Sequence, residues 1–394
     1  MILNTKSLSR IQNVLDEMVN TGYAAGGNCL VLQNGIEQCY YESGYRDLDS
    51  KDKLTRDTLF RLYSMSKTVT SVATFILIER GVIDLFDNVS KYLPGFANPK
   101  VATPDGSLRP ASREIRISDL LSMTSGLPYP NNTNLSEIAA DELMTKIISQ
   151  MDTSDALSTI EIANLTGANP LAFDPGSKWQ YGFSADILGA VIEVASGMKF
   201  SDFLSENIFN PLGMKDTGFY VPSDKLCRLS KVYQPGENGL KLYTYSNLGI
   251  SNTMTTKPLF ESGGAGLCSC IDDFVPFTQM LLNNGTYKDI QILSPESVKY
   301  ISNAHLPSDF NKYFHHDMPH MCGYSYGNLM RVMTDAPTAA SLGCNGEFGW
   351  DGWLGAYMAI DPANKLTILF MMQLTDSGTN EYTRKLRNVI YSAL

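Results

Sequence analysis

Ser64 and Lys67 stand three positions apart in Arg61-Leu62-Tyr63-Ser64-Met65-Ser66-Lys67, directly ahead of an apolar-periodic stretch, 68–80, that Gly81 ends. In a helix that spacing puts a hydroxyl and an amine one turn apart on the same face, at the helix N-terminus. The free N–H groups and the dipole there favour an alkoxide or an oxyanion. A cationic Lys67 would lower the cost of ionising Ser64. A neutral Lys67 could take the proton itself, but bringing an amine pKa from about 10.4 to about 7 requires about 4–5 kcal/mol. Taken alone, a Ser-x-x-Lys pair is a cheap pattern, because serine caps and lysines are common at helix starts.

Two other patterns lead nowhere on their own terms. Gly323-Tyr324-Ser325-Tyr326-Gly327 is a literal Gly-x-Ser-x-Gly, which in a nucleophile elbow needs an acid and then a histidine later in the chain. All four histidines (His305, His315, His316 and His320) precede Ser325, and 323–334 reads as a strand. His315-His316-Asp317-Met318-Pro319-His320 reads as a loop without the i, i+4 imidazoles of a helical metal site. Seven cysteines are odd in number and scattered, and Cys268-x-Cys270 is too tight for common zinc spacing, so buried free thiols are expected. No metal ligand set and no cofactor is implied.

The elements that must position these side chains follow from periodicity. Leu8, Ile11, Val14, Leu15 and Met18 mark an N-terminal amphipathic helix stopped at Gly22. Segments 28–33 and 36–42 flank Asn34-Gly35, a tight-turn pair. Near the other end 323–334, 355–360 and 366–373 read as strands, and 381–393 as a closing helix. Between about 67 and 197 the pattern is mostly helical, broken at 97–112 and 128–134. Strand-rich ends around a helix-rich middle imply an α/β (α+β) fold: an antiparallel sheet built from both termini and flanked by terminal helices, with a helical insertion. The expected division is 1–66 and 200–394 for the sheet part and 67–199 for the helical part, with the active site at their interface.

Composition sets the outer bounds. The 394 residues are 43% hydrophobic and 18% charged, enough to bury a large core and unlike a disordered chain. A formal charge of −10 with no local basic patch argues against nucleic-acid partners. The longest apolar runs, 72–78 and 367–372, are far short of a membrane span, and the charged N-terminus has no signal-peptide core, so a cytoplasmic location is expected.

Further segments give the Ser64 motif a context. Phe173-Asp174-Pro175-Gly176-Ser177-Lys178-Trp179-Gln180-Tyr181 precedes a helical stretch, 184–196, and Glu347-Phe348-Gly349-Trp350-Asp351-Gly352-Trp353-Leu354-Gly355 precedes a strand. With these in view the chain resembles the penicillin-recognising serine hydrolases: class C β-lactamases, DD-peptidases and related esterases. Ser64–Lys67 matches the first family motif, Tyr181 opens the second, and Trp350-Asp351-Gly352 lies where the third belongs. The segments 120–127 (LLSMTSGL), 211–214 (PLGM) and 263–267 (GGAGL) extend the likeness across nearly the whole chain.

The resemblance implies a β-lactamase/transpeptidase-like fold and acyl transfer through a serine ester. It makes Ser64 the nucleophile and Tyr181 the general base that later protonates the leaving group, with Lys67 biasing Tyr181 toward phenolate or relaying the proton. The backbone N–H groups of Ser64 and Trp353 would form the oxyanion hole. Phe183, Trp350, Asp351 and Gly352 would border the substrate, a small acyl compound. Departures from the family pattern point toward esters. Phe183 replaces a motif asparagine, and Trp350 and Asp351 replace the Lys and Thr whose neighbourhood holds a substrate carboxylate. The implied activity is a carboxylesterase. The alternatives are a class C-type β-lactamase or D-amino-acid peptidase, and a β-lactam-binding protein that acylates without turnover.

Overall fold

The turn at Asn34-Gly35 forms as its sequence predicts: both residues take positive φ (54° and 75°) and join strands Gly26–Gln33 and Ile36–Asp47. The computed structural model describes residues 2–303 and 305–394. This hairpin belongs to an eight-stranded antiparallel sheet. Its order is Tyr324–Gly327, Met330–Met333, Phe348–Gly349, Tyr357–Asp361, Leu366–Met372, Gly26–Gln33, Ile36–Asp47 and Asp52–Lys53. The early and late parts of the chain meet at its centre, where Cys29 faces Phe370 and Val31 faces Ile368 across the ladder.

Both faces of the sheet are covered. Leu366, Ile368, Phe370 and Met372 pack with Ile11, Leu15 and Met18 of the Arg10–Asn20 helix and with Leu386 and Ile390 of the Glu381–Tyr391 helix. Leu369 and Met371, pointing the other way, join the larger core with Phe274, Phe277 and Met280 of the Ile271–Leu282 helix. A strand buried on both faces loses its polar alternation, which is why 367–372 reads as an unbroken apolar run.

The stretch 323–334, expected as one strand, is a hairpin instead. Tyr324–Gly327 and Met330–Met333 pair with each other, and the turn between them places Asn328 and Leu329 at φ 50° and 64°. Leucine carries no turn signal. Its left-handed backbone is held by full burial and by a hydrogen bond from its N–H to the Leu121 carbonyl at 2.8 Å.

Helices Ser66–Glu79, Leu135–Gln150, Thr159–Ala168 and Ser184–Ser196 fill the middle of the chain, with a small hairpin at Lys100–Ala102 and Leu108–Pro110. After residue 200 the main sheet resumes only at Tyr324. The intervening segment reaches the sheet through the Ile271–Leu282 helix, whose apolar face lies on it. Among the described residues no helix is long and apolar enough to cross a membrane.

Candidate active site

Phe60–Arg61 pairs with Cys268–Ser269, and the Leu62 N–H donates to the Leu267 carbonyl at 2.9 Å, so the chain enters the Ser64 segment clamped to a neighbouring strand. Tyr63 then adopts φ 44°, a left-handed value rare for an aromatic residue. Its buried ring packs edge-on against Trp353, with centroids 4.9 Å apart, and this packing holds the strained backbone in place. Ser64 follows in a 3-10 turn, Tyr63–Met65, that runs directly into the Ser66–Glu79 helix. That helix is buried from Ser66 to Leu77, which takes Lys67 entirely out of water.

Ser64, Lys67 and Tyr181 come together. Lys67 Nζ donates to Ser64 Oγ at 3.1 Å, to the Tyr129 hydroxyl at 2.9 Å and to the Gly264 carbonyl at 2.9 Å. The Tyr181 hydroxyl accepts from Trp350 Nε1 at 2.9 Å, and the Ser64 side chain lies near enough to act on its titration. Lys67 Nζ also lies 4.6 Å from the centroid of the Tyr181 ring.

Burial shifts the two titratable groups in opposite directions. Burial lowers the Lys67 amine to about 8, opposed by the carboxylates of Asp186 and Asp351. Burial pushes the Tyr181 phenol up; hydrogen bonds from Ser64 and Trp350 oppose that, and the Asp351 and Asp186 charges add to it. A phenolate at Tyr181 is therefore disfavoured, while the neutral amine is accessible near neutral pH.

The amide N–H groups of Ser64 and Trp353 make no hydrogen bond to any described residue, which leaves both free to donate to a ligand. Gly352, just before Trp353, lies against the nucleophile segment so closely that a Cβ there would sit 2.0 Å from the Leu62 carbonyl oxygen. Trp353 itself is oriented by Nε1 donating to Asp376 at 2.8 Å and by edge contacts with Tyr63 and Tyr243.

Two of the residues expected at the substrate lie behind the site. Trp350 is 0% exposed and its N–H donates to Tyr181, which leaves the indole no free donor for a ligand. Tyr181 lies between the rings of Trp179 and Trp350, at centroid distances of 6.1 and 5.6 Å. Phe183 is buried and packs edge-on against Tyr129 at 4.8 Å, supporting that hydroxyl from the rear. Asp351 is 8% exposed and accepts from Thr379 Oγ1.

The patterns set aside in the sequence take no part in this cluster. Ser325 is buried on a strand and donates to Asn311. His315 and His316 lie in a short helix, Asn311–Asp317, not in the expected loop, and the His315 Nε2 contacts the Tyr324 carbonyl at 2.7 Å. The cysteines are all free, but only Cys29, Cys268 and Cys270 are buried; Cys227 and Cys322 are exposed. Asp216, Cys270 and Asp273 lie close enough together to offer a cation three ligands, yet Asp216 is already paired with Lys225 and Arg228, each at 2.6 Å.

Sequence reasoning missed Tyr129, Asp186 and Gly264 as parts of the Lys67 environment. Tyr129 carries a weak signal, since it stands two positions after the recognised segment 120–127, between Pro128 and Pro130. Asp186 stands five positions after Tyr181, in the first turn of the Ser184–Ser196 helix.

Residues 11–391 match the family profile described as Beta-lactamase. Protein Rv1367c of Mycobacterium tuberculosis (strain ATCC 25618 / H37Rv) is 30% identical over 369 residues, spanning 92% of this chain and 89% of that protein. Esterase EstB of Burkholderia gladioli is 28% identical over 404 residues, covering 99% of this chain and 97% of its own. Among solved structures, EstCE1, described as a hydrolase with promiscuous acyltransferase activity, superposes with a TM-score of 0.83 at 26% identity, covering 98% of this chain and 99% of that one.

Proposed function

This chain belongs to the Beta-lactamase family of serine hydrolases, and from that premise we propose that it is a carboxylesterase that works through an acyl ester on Ser64. The observation that carries the reading is the buried Lys67 amine 3.1 Å from Ser64 Oγ, with Asp186 and Asp351 as the charged side chains acting on it. Both charges acting on the amine are negative, and Asp351 would repel a substrate carboxylate. Neutral esters suit such a site better than carboxylate-bearing β-lactams or peptides.

Donor and acceptor counting supports a definite proton path. With Lys67 neutral, the Ser64 contact reverses: the Ser64 O–H donates to Nζ, and the two remaining N–H bonds go to Tyr129 and Gly264. Ser64 Oγ attacks the ester carbonyl as its proton passes to Lys67, and the carbonyl oxygen becomes an oxyanion between the Ser64 and Trp353 amides. Donors so placed are each worth about 3–4 kcal/mol. Tyr181, still a phenol, gives its proton to the departing alkoxide and regains one from Lys67, so the alcohol leaves neutral and Ser64 carries the acyl group. Water repeats the sequence in reverse and releases the acid.

Intact-protein mass spectrometry after brief exposure to p-nitrophenyl acetate tests this reading. The expected result is a transient acetyl adduct on the protein that Ser64→Ala lacks. An equal adduct on the variant would place the nucleophile elsewhere.

A further inference from the structure

We infer that Asp186 is a positioning residue for Lys67, acting through the glycine-rich loop 262–267; the inference rests on the esterase reading of Ser64 and Lys67. Asp186 is 5% exposed, and its carboxylate accepts the Ser262 hydroxyl and the Gly264 N–H, the latter at 3.1 Å. Ser262 Oγ in turn accepts the Ala265 N–H at 2.9 Å, which closes the loop into a tight turn around the carboxylate. Gly264 thus gives its N–H to Asp186 and offers its carbonyl to Lys67 Nζ at 2.9 Å. One residue joins the acid to the amine.

Only glycine fits at two positions of the loop. A Cβ on Gly264 would lie 2.5 Å from Asp186 Oδ2, and one on Gly263 would lie 2.4 Å from the Ala185 carbonyl oxygen. The opposite side of the loop is pinned to the helix that bears Lys67. Thr70 Oγ1 donates to the Gly263 carbonyl at 2.7 Å, and the Leu267 N–H donates to Ser66 Oγ at 3.1 Å. Removing Asp186 leaves that helix in place but frees the Gly264 carbonyl to turn away from the amine.

Charge gives Asp186 a second effect. The titratable groups around Lys67 are Tyr129 from the segment after Leu127, Tyr181 and Asp186 from the segment and helix that follow it, and Asp351 ahead of strand Tyr357–Asp361. Asp186 makes no ion pair with Lys or Arg among the described residues; burial pushes its carboxyl up, and the Lys67 charge and the bonds from Ser262 and Gly264 oppose that. Its carboxylate favours the protonated amine and so opposes the effect of burial. Without it Lys67 would lose its proton at lower pH and would be a weaker base.

Single-turnover acylation by p-nitrophenyl acetate, followed across pH, separates these effects. Asp186→Asn is expected to move the acid limb of the profile to lower pH and to reduce the plateau by about tenfold or more. Ser262→Ala keeps the acid but removes a donor to it, so a smaller move in the same direction is expected, and this variant decides the matter if Asp186→Asn does not fold. A plateau that falls with the limb unmoved in both variants would mean a structural role only and would overturn the inference, as would two unchanged profiles. If the wild-type protein forms no adduct on Ser64, the esterase reading fails instead.

Discussion

The indole N–H of Trp350 donates to the Tyr181 hydroxyl at 2.9 Å, and this bond fixes where the phenol points. It also favours the phenolate slightly, against the larger opposing effect of burial. Trp350→Phe keeps most of the ring contact and removes the donor. Loss of a hydrogen bond to a group that carries charge in the reaction is worth about 1.5–3 kcal/mol. Esterase kcat should therefore drop by about tenfold to a hundredfold with little change in KM, as measured with p-nitrophenyl acetate. A KM effect alone would mean that Trp350 meets the substrate after all.

The pH dependence should report Lys67. With its amine lowered to about 8, kcat/KM should climb as pH rises through that value, because the neutral amine is the reactive form. Tyr181→Phe should lower the rate across the range and leave the midpoint of the rise near where it was. If the rise instead vanished with Tyr181, the phenol would be the base.

Lys67 should also cost stability. Its folded pKa, about 8, lies below the value near 10.5 of the unfolded chain, so between those two the unfolded state holds more protons and stability rises with pH. At neutral pH the buried charge is a burden that a neutral side chain of similar length would relieve. Lys67→Met is expected to abolish turnover while stabilising the fold by about 1–2 kcal/mol. Calorimetry at pH 7 and pH 10 checks this, because the advantage of the variant should shrink at the higher pH.

Gly352→Ala should be severe. A methyl group 2.0 Å from the Leu62 carbonyl forces apart the two segments that supply the oxyanion donors. Overpacking of this kind typically costs about 1–3 kcal/mol. Denaturant melts should show that loss, and kcat should fall more steeply than the stability change alone explains.

Asp351 offers a test of substrate charge. Asp351→Asn removes a carboxylate close to Lys67 and Tyr181. The ratio of kcat/KM for a carboxylate-bearing β-lactam such as nitrocefin to that for a neutral ester should rise by at least about threefold, a change of about 0.6 kcal/mol. An unchanged ratio would show that Asp351 does not face the acyl compound.

Much of this architecture was legible in the sequence because its signals are local. Ser64 and Lys67 share one helix start, Asn34-Gly35 forces its own turn, and the terminal helices carry clean apolar stripes. What escaped notice depends on contacts across the fold. Tyr129 and Asp186 reach Lys67 through space, and only Tyr129 has even a weak local signal, its place beside the segment 120–127. Trp350 was expected at the ligand because it stands where the third family motif belongs, and in the folded chain its one donor goes to Tyr181. The Leu329 turn was invisible since its left-handed backbone is paid for by burial and not by residue type.

Tyr63 joins the two segments proposed to supply the oxyanion donors. One amide belongs to the residue just after its strained backbone, and the other belongs to the residue its ring leans on. A change in the Tyr63 ring would therefore reach both segments at once. Shaving the ring would unlink them, and the first symptom would be tolerance of ill-fitting acyl groups, ahead of any collapse in rate.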